Sequence, residues 1–153
     1  MKRQIHFHLH MPPVVAGISL LASLAINYFL PGLKLIYPPY HFSGIIVGVS
    51  GIILIIWSRR VFKMMNTTVN PSGKPTALLV VGPFRISRNP MYLGMSLVIL
   101  GIAVFIGTAP LFLAPLAFIL IMNAVFVPRE ERKLEEIFGG DFLNYRKKVR
   151  RWF

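Results

Sequence analysis

Four long apolar stretches divide this chain, each closed by a polar or glycine-proline break. Residues 14–30 end at Pro31-Gly32, and residues 43–57 stop at Arg59-Arg60. Residues 91–106 close at Gly107-Thr108, and residues 109–127 are broken outward by Pro128. A bilayer span needs about 20 apolar residues, so the pattern predicts four transmembrane helices. The second and third are short and must use flanking residues such as Val61 and Phe62. Gly107-Thr108-Ala109-Pro110 leaves almost no loop, so the last two helices should form a tight hairpin. The first stretch reads as a retained span, because its apolar run is long and lacks a convincing small-residue cleavage site. The expected fold is all-α, a membrane bundle with a cytoplasmic amphipathic C-terminal segment. Residues 1–65 read as a two-span N-terminal region, and residues 66–153 as the core that carries the chemistry.

Composition agrees with this pattern. The chain is 55% hydrophobic and only 14% charged, against about a quarter charged in soluble domains. It has no cysteine, which excludes disulfides, thiolate metal sites and a cysteine nucleophile. A net charge of +12 invites a nucleic-acid reading, but the charge is interleaved with bilayer-length apolar runs. Lysines and arginines beside a membrane facing anionic lipid explain it better. With the N-terminus inside, only Lys34 of the 17 basic residues falls on the outer side. The loop 59–89, the tail after Pro128 and both termini are then cytoplasmic. All five acidic residues lie in that tail.

Two polar segments interrupt the apolar pattern. In "GPFRISRNPMYLG", residues 82–94, Asn89 suits a helix N-cap and Pro90 the first helical position, where a missing N–H costs nothing. Arg85 and Arg88 stand at the interface, and Gly94 leaves room for close approach to the backbone. A helix start with free amides and nearby arginines suits a carboxylate or phosphate. The same residues also serve a plain capped span with positive-inside arginines.

The second segment is "PREERKLEEIFGGDFLNYRKKVRRWF", residues 128–153. Pro128 is expected to start a helix with Glu130 and Glu131 in its first turn, where the macrodipole favours them. Leu134, Ile137 and Phe138 give it an apolar face, and Gly139-Gly140 ends it. Beyond that, Phe142, Tyr145, Val149 and Trp152 oppose Arg146, Lys147, Lys148, Arg150 and Arg151, the pattern of an interfacial helix on anionic lipid. One glutamate can hold a ligand's hydroxyls or balance a cationic ligand.

Taken together, the two segments resemble the isoprenylcysteine carboxyl methyltransferase family, which is related to the phospholipid N-methyltransferases. The family pattern is roughly G-P-[YF]-R-x-x-R-[HN]-P-x-Y-x-G, then E-E-x-x-L-x-x-x-F-G-x-x-[YF]-x-x-Y. "TTVNP" at 67–71 resembles the bacterial branch, which implies a prokaryotic plasma membrane. The resemblance covers residues 66–153 and implies a membrane methyltransferase using S-adenosylmethionine. By position it assigns Arg85, Asn89, Pro90, Tyr92, Leu93, Gly94, Glu130 and Glu131 to the cofactor. Arg129 and Glu130 are the candidate catalytic residues, Arg129 because its guanidinium fork suits an anionic acceptor. The family's usual histidine is Asn89 here, so a base at that position is not expected. The implied acceptor is a lipophilic molecule or lipid bearing a carboxylate, thiol or amine. The alternatives are a phospholipid amine N-methyltransferase and a non-enzymatic membrane scaffold.

Weaker candidates remain. His6, His8 and His10 alternate on one face of an extended segment, but a chain terminus makes a metal site a poor expectation, and none is assigned. His41 has no partner in sequence. Asn123 reads as interhelical glue, and Gly44-Ile-Ile-Val-Gly48 suits close helix packing.

Overall fold

The computed structural model describes residues 12–69 and 73–153. His6, His8 and His10 lie outside the described residues, as do Asn70 and Pro71. All regular elements among the described residues are helical: α1 (Pro12–Phe29), α2 (Ser43–Met64), α3 (Pro90–Ile106), α4 (Leu113–Ile121), α5 (Val127–Phe138) and α6 (Gly140–Lys148). Three helices are long and apolar enough to cross a membrane, Pro12–Phe29, Tyr40–Met64 and Ala109–Phe138, and Pro90–Ile106 is a shorter apolar helix. The all-α bundle expected from the apolar pattern is therefore present. The second span reaches full length by running past Arg59-Arg60 through Val61 and Phe62.

Pro128 does not break the fourth span, contrary to expectation. The helix continues as one rod over Ala109–Phe138. A proline ring collides with the carbonyl four residues back, here that of Ala124. Ala124 lies within a wide π turn, Met122–Phe126, whose altered carbonyl spacing relieves that collision. Glu130 and Glu131 consequently sit inside a continuous helix, not in the first turn of a new one.

The α2–α3 pair is the most tightly joined. A methyl group on Gly44 would lie 2.4 Å from the Gly101 carbonyl oxygen, and one on Gly51 would lie 2.5 Å from that of Gly94. Lipid supplies no hydrophobic drive for helix pairing, so association rests on such close backbone contact between small residues. The main core forms where α3 meets α4 and α5, around Tyr92, Ile99, Ala114, Phe118, Met122 and Val127. Helix α1 packs on α4 and buries mainly Ser19 and Ser23.

The hairpin turn forms as expected. Gly107 adopts φ 78°, a left-handed conformation that a side chain resists, and its N–H closes α3 onto Ala103 O at 2.8 Å. Its carbonyl accepts the amides of Leu35 and Ile36 at 2.7 and 3.1 Å, so the loop carrying Lys34 covers the turn. This closure brings the start of α3 and the far end of the Ala109–Phe138 rod to the same end of the bundle.

Candidate active site

The stretch 82–94 is built around the tail of the chain. Gly82–Arg85 forms a tight helical turn that buries Pro83 and Phe84, with Phe84 packed edge-on to Phe62 at 5.6 Å. Tyr145 of α6 donates its hydroxyl to the Phe84 carbonyl at 2.6 Å. Burial pushes the Tyr145 phenol above its ordinary range, against a smaller opposing pull from Arg88, so it stays protonated and donating.

Ser87, Arg88 and Asn89 then bind the tail in succession. Ser87 Oγ donates to Arg151 O at 3.1 Å, the Arg88 amide to Arg150 O at 3.1 Å, and Asn89 Nδ2 to Arg151 O at 3.0 Å. Arg88 Nη1 donates to Arg146 O and Val149 O at 3.0 and 2.8 Å, capping the C-terminal end of α6, where a cation is favoured. Asn89 occupies the N-cap position, but its side chain makes no capping bond to α3. The amide donor that would have been idle in a cap is used to hold a segment distant in sequence. Pro90 does open α3, as expected.

The two glutamates diverge, as adjacent residues about 100° apart on a helix must. Glu130 accepts the hydroxyl of Tyr92. Glu131, only 9% exposed, accepts Arg88 Nη2 at 2.6 Å and Arg151 Nη2 at 2.7 Å, with both Nε atoms nearby at 3.1 and 3.3 Å. Arg151 also donates to Asn123 Oδ1 at 3.0 Å, so Asn123 joins its span to the tail rather than to another span.

Between these elements lies a cleft of about 930 Å³, a volume that includes its open mouth. Phe62, Val69, Leu78, Leu79, Phe84 and Leu134 make much of its apolar wall. Arg88, Asn89, Tyr92, Glu130 and Glu131 make its polar end. Of the residues singled out in the sequence, Asn89, Pro90, Tyr92, Glu130 and Glu131 line one cavity. Arg85, Leu93, Gly94 and Arg129 are not among its lining. Arg85 and Arg129 are exposed. Gly94 faces α2, where an added methyl would lie 2.7 Å from Ile55 and 2.8 Å from the Gly51 carbonyl.

Two readings of the tail change. Phe142 is 1% exposed and Tyr145 is buried, so the apolar side of α6 packs into the protein instead of lying on lipid. The helix also ends at Lys148, and Val149 is extended, which turns Arg151 inward. The sequence pattern alone does not assign Arg88, Phe142, Tyr145 or Arg151 to the site. For Arg88, the signal was its place immediately before the N-cap in Ser87-Arg88-Asn89-Pro90.

An all-helical membrane bundle whose polar chemistry gathers at one end, beside an apolar cleft, defines the class. The chain matches the phospholipid methyltransferase family over residues 39–141 and belongs to it. It is thus a membrane methyltransferase by family, in agreement with the resemblance carried by its two polar segments. It is also 39% identical over 62 residues to an uncharacterised protein of Haemophilus influenzae, a match covering 40% of this chain and 98% of that one. No solved structure matches it.

Proposed function

We propose that this protein transfers a methyl group from S-adenosylmethionine to a lipophilic acceptor drawn from the membrane. The observation carrying this reading is a single cavity that joins an apolar wall to the Tyr92–Glu130 pair. The residues present fit the cofactor's chemistry. A carboxylate and aromatic faces suit a cation, and Glu130 can accept hydroxyl donors. The first amides of α3 are left uncapped by Asn89, which suits a carboxylate. When bound, S-adenosylmethionine supplies a methyl already activated on a sulfonium. The chain's own task is to orient the acceptor and exclude water, so a general-base dyad is not required.

A second observation favours an amine or another uncharged acceptor over a carboxylate. Arg88, the cation lining the cavity among the described residues, is committed to Glu131 and to two backbone carbonyls. A carboxylate acceptor would enter beside Glu130 without a guanidinium to meet it, whereas a neutral amine carries no such penalty. A phospholipid amine is therefore our preferred member of the acceptor class.

The charge asymmetry supports a site on the cytoplasmic face, with both termini on that side. Except for Pro12 and Phe62, the cavity lining comes from residues 66–153, which supports that stretch as the methyltransferase core. Calorimetric titration with S-adenosylhomocysteine in detergent should show saturable binding. Reconstitution with amine-bearing and carboxylate-bearing lipids should then yield methylated product only from the former. Absence of cofactor binding would overturn the enzymatic reading.

A further inference from the structure

The two adjacent glutamates are not equivalent, and counting their hydrogen bonds separates them. A carboxylate offers about four lone-pair sites. Arg88 and Arg151 direct four nitrogen donors at Glu131, at 3.1 and 2.6 Å from the first and at 3.3 and 2.7 Å from the second. Arg88 is equally engaged, with Nε and Nη2 on Glu131 and Nη1 on two backbone carbonyls. Most of the capacity of both groups is thus taken up within the protein, three of the four donors falling on Glu131 Oε1 and one on Oε2. Glu130 by contrast accepts the neutral hydroxyl of Tyr92, and neither Arg88 nor Arg151 donates to it.

Arg88, Asn89 and Glu131 also share a geometry. Each lines the cavity and each is tied to the tail, directly to its backbone or, for Glu131, through Arg151. The polar wall of the cavity and the docking of the tail are thus one structure. We propose that Glu131 is a positioning residue: through Arg88 and Arg151 it holds residues 149–151 behind that wall, and the docked tail governs how long a ligand stays in the cavity. Glu130 is left to meet the ligand. The ligand part of this inference rests on the proposed cofactor site, while the tail part stands on the ion cluster alone.

Ser87 supplies the probe. It is 1% exposed beneath the tail, its hydroxyl on Arg151 O, and the chain has no cysteine. In a Ser87→Cys background, maleimide should react only when the tail lifts. Arg151→Gln should raise the labelling rate by about tenfold or more, the effect of losing a charge-assisted bond. It should speed S-adenosylhomocysteine dissociation to a similar degree, with the bundle's melting temperature little changed, since Arg151 lies outside the helices.

Arg151→Lys, which keeps charge but loses the fork, should recover part of the effect. Glu131→Gln should act in the same direction, and the double variant should exceed neither single, because the groups act as one unit. Should Glu131→Gln fail to fold, Arg151→Gln decides alone. Parent-like labelling in the Arg151 variant overturns the tail role. Faster labelling with unchanged ligand dissociation overturns the link to the cavity. A parent protein that binds no S-adenosylhomocysteine overturns the cofactor reading instead, and the labelling rate still decides whether the ion cluster holds the tail.

Discussion

Asn89 and Arg151, 62 positions apart in the chain, are joined by a hydrogen bond from Nδ2 to the backbone carbonyl at 3.0 Å. A residue at the mouth of a membrane helix therefore anchors the extended segment that follows α6. Replacing Asn89 with serine keeps a residue suited to N-caps but removes the amide donor. Stability should fall by about 0.5–1.5 kcal/mol, the net value of one hydrogen bond. Hydrogen exchange should rise at the amides of the tail and not along α3. Exchange rising along α3 instead would restore Asn89 to an ordinary cap.

Glu130→Gln keeps the shape of the side chain and its contact with Tyr92. The variant should fold normally in detergent, with a stability change under about 1 kcal/mol. Cofactor affinity should drop by about 1.5–3 kcal/mol, the loss of a charge-assisted hydrogen bond. That corresponds to roughly ten- to more than a hundredfold in Kd, readable by calorimetry. Parent-like affinity would remove Glu130 from the site.

The α2–α3 contact can be tested by adding a single methyl. Gly101→Ala would place its Cβ 2.6 Å from both the Gly44 carbonyl oxygen and the Gly48 nitrogen. Both are backbone atoms that cannot swing aside, so the helices must separate, at a cost of about 1–3 kcal/mol. Gly17→Ala on α1 meets nothing within 4 Å and should be neutral or slightly stabilising. Thermal melts of the two variants in one detergent make the comparison.

Topology follows from the charge distribution. The native chain has no cysteine, so Lys34→Cys and Lys74→Cys give clean single probes. An impermeant maleimide added to intact cells should label position 34 and reach position 74 only after lysis. Labelling of both from outside would reverse the proposed orientation of the site.

Much of the scaffold was legible in the chain because burial in a membrane is written in uninterrupted apolar length. Residues 43–57 announced a span, and Val61 and Phe62 were already the residues it needed. Gly107 announced the hairpin because a sharp reversal favours positive φ. The same logic misread Pro128. A proline marks a helix end only if the backbone before it is regular, and the π turn at Met122–Phe126 leaves no local signature strong enough to read.

For the site, the sequence by itself determined which residue types were available and at which end of the bundle they would lie. Adjacent glutamates on a helix had to diverge, and a tight hairpin had to bring the start of α3 near them. Only the tertiary structure decided which cation met which anion. Arg85 and Arg88 are alike in composition and three residues apart, yet one is exposed and the other joins Glu131 to the tail. Periodicity ranks residues by face only within a regular helix, and both arginines lie outside α3, in a turn and the residues leading from it. The partners of Arg88 come from α5, from the end of α6 and from an extended tail, whose approach is set by three-dimensional packing of Phe142 and Tyr145. That packing, not any spacing along the chain, brings Arg151 to Glu131, while Glu130 meets Tyr92.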